Sequence, residues 1–204
     1  MKNIRRLIFL FSFWHIAASA AIDCPTIDER LNDLAGTDQQ IRQDWAALSK
    51  KPNATTIEKD DLEQRWRVID AANLTELKEI VAVCGWPSGK AGSHSAWLLA
   101  QHADSDVAFQ RQAVNLLERA VKNGVAAPRD LAYLADRIAT AEGRPQLYGT
   151  QFTQTDRCHL KLLPVDSVEL VNRRRLAIGL QSLEEYEAEG RKRFIAGDCQ
   201  LEGG

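Results

Sequence analysis

Residues 93–121 read SHSAWLLAQHADSDVAFQRQAVNLLERAV, and this stretch decides the fold class. Its first half sets Ala96, Trp97, Leu99 and Ala100 in a strongly apolar helical run. Its second half keeps the helical period with Phe109, Ala113, Leu116, Leu117 and Val121. Between the two lies an acidic turn, where Asp104 or Ser105 is expected to cap the second helix. Asn123-Gly124 then offers a left-handed stop.

The same periodicity extends in both directions. Upstream, Ile27, Leu31 and Leu34, then Ile41, Trp45 and Leu48, recur at helical spacing, and Lys51-Pro52-Asn53 interrupts them. Leu62, Trp66 and Ile69 mark another helical region. Asn73 with Glu76 resembles a capping box opening a separate helix through Leu77, Ile80 and Val81. Gly85-Trp86-Pro87-Ser88-Gly89 ends that helix. Downstream, Pro128 suits a first helical turn, and Leu131, Leu134 and Ile138 follow it to a stop near Gly143. Tyr148, Thr150 and Phe152 alternate as in a strand, so a short hairpin or extended segment is expected near 146–163. Asp166 is expected to cap a helix through Val168 and Val171 that stops at Gly179. Ser182 with Glu185 is a second capping box, for a last helix. The expected fold is mainly α: one compact multi-helix domain with a short β-hairpin.

The N-terminus reads as an export signal. Lys2, Arg5 and Arg6 precede an apolar run from Leu7 to Ala18, and Ala18-Ser19-Ala20 is a small-x-small cleavage site. Residues 1–20 are expected to be removed, leaving 21–204 as a single mature domain in the periplasm or medium, with no membrane segment. Without the leader, 23 basic residues face 28 acidic ones, which argues against nucleic-acid binding. Cys24, Cys84, Cys158 and Cys199 are separated by 60, 74 and 41 residues, a spacing that fits no zinc or redox motif. In an oxidising compartment they are expected to form two disulfides. Three pairings are possible, and the one joining sequence neighbours is Cys24–Cys84 with Cys158–Cys199.

Several motifs stand together: Gly85-Trp86-Pro87, Trp97 to Asp104, Tyr133-Leu134-Ala135-Asp136-Arg137, Gly143 to Gln151, and Asn172-Arg173-Arg174-Arg175 with Gly179-Leu180. In their order and spacing the chain resembles a bacterial family known as domain of unknown function 6624. The core of the resemblance spans about residues 73–190. It implies no activity, and the four cysteines are not part of its pattern.

The chemistry is therefore read from the residues. Gln101 and His102 follow apolar residues on a helix expected to be buried, and unpartnered burial costs about 1–3 kcal/mol per group. His102 is the candidate general acid/base, because its ordinary pKa lies near neutrality. Asp104 or Asp136 is the expected orienting carboxylate, with Asp136 counted as catalytic. Arg137 or Arg174 is suited to hold a carboxylate or phosphate through paired N–H groups. Gln101, Gln146, Tyr148 and Gln151 complete a set of ligand-binding candidates on three segments expected to converge. No nucleophile elbow, zinc-protease motif, P-loop or dinucleotide fingerprint is present, and neither a cofactor nor a metal is expected.

Two functions follow. One is a polar pocket that binds a small polar or anionic ligand, with hydrolysis of that ligand as the chemistry it could add. The alternative is a protein-interaction module, such as an immunity protein or inhibitor acting on an exported toxin or envelope enzyme.

Overall fold

The computed structural model describes residues 22–156, 158–195 and 199. The expected leader, residues 1–20, lies outside them. Among the described residues, seven α-helices and one hairpin follow in order. They are α1 (Ile27–Lys50), α2 (Thr56–Cys84), α3 (Lys90–Gln101), α4 (Val107–Lys122), α5 (Pro128–Ala141), β1 (Phe152–Asp156), β2 (His159–Leu162), α6 (Val168–Ala177) and α7 (Leu183–Phe194). A 3-10 turn, Cys24–Thr26, precedes α1.

The apolar run of the opening stretch becomes the centre of the domain. α3 packs on α1, α2, α4 and α5. Ala96, Trp97, Leu99 and Ala100 are buried with Leu31, Leu77, Ile80, Phe109, Leu117, Leu134 and Ile138 in one core. A helix contacted on four sides keeps little solvent face, so residues 96–100 of α3 are all apolar, while Lys90 and His94 take the exposed positions near its start. The hairpin pairs Phe152 with Leu162 and Thr153 with Lys161, antiparallel. Phe152 and Leu160 pack against Gly190 of α7, where an added Cβ would lie 3.1 Å from Leu160.

Three local expectations need correction. The region 56–84 is a single helix, opened by a Thr55–Glu58 capping box rather than by Asn73. No glycine or proline interrupts it, and Asn73 lies buried in its interior. The cap of α4 is Asp106, whose carboxylate accepts from Phe109 N–H at 2.9 Å. Asp104 is engaged elsewhere, as shown below. Ser167, not Asp166, caps α6, because the Asp166 carboxylate pairs with Arg174 at 2.8 Å. The Asn123-Gly124 stop, the Pro128 start and the Ser182–Glu185 box are found as read.

Disulfides join Cys24 to Cys84 and Cys158 to Cys199. The first ties the turn before α1 to the end of α2. Among the described residues, no helix is long and apolar enough to cross a membrane.

Candidate functional site

His102 is the C-cap of α3, and its ring turns toward α1. Nδ1 lies 3.0 and 2.9 Å from the two carboxylate oxygens of Asp38. Asp38 is 1% exposed, whereas the His102 side chain keeps 16% of its surface. Arg42, one turn along α1, donates from Nη2 to Asp38 at 2.9 Å and to Asp70 of α2 at 2.9 Å. Trp66 Nε1–H donates to the other Asp70 oxygen at 2.9 Å. The Arg42 guanidinium lies 4.6 Å over the Trp66 ring. A continuous chain thus runs from His102 through Asp38, Arg42 and Asp70 to Trp66.

The charges along this chain are ordered. Burial pushes the Asp38 carboxyl up, but the hydrogen bonds and charges of His102 and Arg42 outweigh it and hold it at about 2. Asp70 is pushed above its ordinary value by burial, against the pull of Arg42. An ionised carboxylate only accepts, so the proton between Asp38 and His102 sits on Nδ1. Nε2 is then the basic nitrogen. It has no partner among the described residues, and it is not among the buried unpartnered atoms. A buried carboxylate that fixes the tautomer and an imidazole with its second nitrogen open is the geometry of a general base.

Asp104, two residues on, does not orient the ring. Its carboxylate takes both Nε and Nη2 of Arg137 from α5, the Nε contact at 2.6 Å. Gln110 Nε2 approaches it at 3.4 Å. Desolvation opposes ionisation of Asp104, and the Arg137 fork outweighs it, so its carboxyl lies below the usual range. Arg137 Nη1 also donates to Gln151 Oε1 at 3.3 Å. Asp104, Arg137 and Gln151 therefore form one partly open cluster beside His102.

Asp136 behaves differently from expectation. It is completely buried. Its oxygens accept from the N–H groups of Leu147, Tyr148 and Thr150 and from the Thr150 hydroxyl, at 2.8 to 3.2 Å. Burial raises its carboxyl, against the pull of these donors. It neither reaches His102 nor faces solvent; it is the anchor of the 146–151 loop. Gln146, also fully buried, ties the same loop: Nε2 donates to the Gln151 and Leu163 carbonyls, and Oε1 accepts from Gln151 N–H at 2.6 Å. Tyr148 hydrogen-bonds through its backbone, donating N–H to Asp136 and accepting at its carbonyl from Arg175 at 2.7 Å. Arg174 bonds Asp166 and the Leu147 carbonyl, so it holds the loop from outside. Gln101 is buried, and its Oε1 has no protein partner among the described residues.

A family model for DUF6624, a family of unknown function, matches residues 25–191. The chain belongs to this family. No curated protein and no solved structure matches it. The family match extends over α1 and α2, which carry Asp38, Arg42, Trp66 and Asp70, the residues that complete the His102 site. Sequence reasoning missed all four. One signal for Asp38 was present: with Leu31, Ala35 and Ile41 it falls on the buried stripe of α1, where a carboxylate needs a partner. Arg42 follows at the i+4 spacing of a helical ion pair.

His102 also differs from the other described histidines. His94 pairs through Nδ1 with the buried Asp130 at 3.0 Å but is more than half exposed. His159 pairs with Asp156 on the hairpin, also in the open. No group of three or more metal-ligating side chains forms among the described residues.

Proposed function

We propose that the protein is exported and acts in the periplasm or medium, where it binds a small polar or anionic substrate beside His102 and hydrolyses it. The observation that carries this reading is the His102–Asp38 pair, with its carboxylate sealed and its imidazole edge open. Nε2 takes a proton from a water whose oxygen attacks the substrate, the bond to the leaving group breaks, and the imidazolium, stabilised by Asp38, returns the proton to the departing group. Arg137 is paired with Asp104 through Nε and Nη2, so an anionic group of the substrate is held by taking the place of the Asp104 carboxylate on that fork. Two disulfides support an oxidising compartment.

The test uses the mature, oxidised protein and a panel of p-nitrophenyl esters, phosphates and glycosides. Turnover of one class is expected, and His102→Ala should lower it about 100-fold or more while circular dichroism is unchanged. Equal turnover by the variant would refute the role of His102. Absence of turnover across the panel, together with a stoichiometric protein partner from periplasmic extract, would favour the interaction module instead.

A further inference from the structure

The Gly85-Trp86-Pro87 motif takes no part in the His102 site, yet it walls a separate cleft of about 220 Å³. The cleft lies between the turn before α3 and the C-terminal half of α4. Trp86, Pro87, Leu116, Ala120 and Val125 give it apolar walls, and Arg119 stands at its rim. Three features make the Trp86 wall rigid. The indole N–H is engaged by Ser93 Oγ at 2.8 Å. Cys84, two residues earlier, is tied to Cys24. Pro87 is itself buried. The turn also depends on Gly85, whose φ of 75° suits glycine. A pre-formed apolar cleft loses little freedom when a ligand enters it.

The polar component is as informative as the walls. Arg119 is exposed and forms no ion pair among the described residues, whereas Arg111, earlier on α4, is paired with Glu142. With its N–H already bonded to Ser93, Trp86 offers a ligand only its apolar ring. Among the described residues that line the cleft the one charge is the Arg119 guanidinium, with Ser88 and Asn123 as neutral polar groups; it favours an anion and matches a carboxylate with two parallel N–H groups. We infer that this cleft binds a small organic acid: one apolar ring or branched chain lying against Trp86 and Val125, with its carboxylate on Arg119.

Phenylacetate is a suitable probe, titrated into the uniformly ¹⁵N-labelled mature protein. Saturable shifts are expected at the Trp86 indole N–H, Val125 and Arg119. Phenylacetamide, which keeps the ring and loses the charge, should bind about tenfold more weakly, and Arg119→Gln should lose about the same factor for phenylacetate. His102→Ala should leave the titration unchanged, since none of the lining residues belongs to that site. No saturable shift up to the solubility limit of the probe would overturn the inference, as would equal binding of acid and amide. Shifts of the same residues that grow with protein concentration alone would assign the cleft to self-association and overturn it equally.

Discussion

Replacing Asp38 by Asn keeps the shape of the side chain and removes its charge. The structure sets the size of the effect. Asp38 is 1% exposed and its carboxyl is held at about 2, against an ordinary value of 3.8. One pKa unit is about 1.4 kcal/mol, so ionised Asp38 contributes roughly 2 kcal/mol to stability at neutral pH. The sign follows from the lowered value. The contribution is fully present above the unfolded pKa near 4, and it is lost as pH falls through about 2. Asp38→Asn should therefore cost about 2 kcal/mol at pH 7, a fall in Tm of roughly 4–8 °C for a domain of this size. The difference should shrink steadily below pH 4. Urea unfolding of the oxidised protein, repeated from pH 2 to pH 7, measures both quantities. A variant as stable as the parent at pH 7, or a difference that does not depend on pH, would refute the reasoning that Asp38 is a charged, stabilising partner of His102.

Asp136→Ala should be more damaging than Asp38→Asn. It strands three N–H groups and one hydroxyl that now share its carboxylate, so about 3–5 kcal/mol should be lost, with amide exchange at 147–150 rising first. Gly149→Ala should also destabilise, because its φ is 65° and the new Cβ would lie 2.6 Å from Leu183 Cδ1; a variant with unchanged Tm would contradict this. Removing Cys24–Cys84 by double Ser substitution opens a 60-residue separation and should cost about 4 kcal/mol in urea unfolding. Arg175→Met removes donors to Tyr148 and Gln181 carbonyls at 2.7 Å from a side chain 1% exposed, and should loosen the 146–151 loop by hydrogen exchange while leaving α1 to α3 protected.

Helices were legible because their determinants are local. Periodicity, the Asn123-Gly124 stop, Pro128 and the Ser182–Glu185 box each act within a few residues. Where two nearby residues compete to cap, as with Asp104 and Asp106 or Asp166 and Ser167, the choice depends on an arginine that claims one of them: Arg137 from another helix for Asp104, Arg174 from two turns along α6 for Asp166. The motif residues were found, but not their division of labour. Asp136, Gln146 and Arg174 look as reactive in sequence as His102 and Arg137. Only packing shows that the first three are consumed in holding the 146–151 loop. The orienting carboxylate was missed because it lies 64 residues before His102, on a helix whose own pattern records nothing of its partner.

The claim that His102 is an oriented base rests on which ring nitrogen carries the proton, and long-range ¹H–¹⁵N NMR of the imidazole reads that directly. The neutral ring should hold its proton on Nδ1 and show a bare Nε2, and Asp38→Asn should disturb this preference. A neutral ring protonated on Nε2, or a tautomer unaffected by Asp38→Asn, would contradict the account.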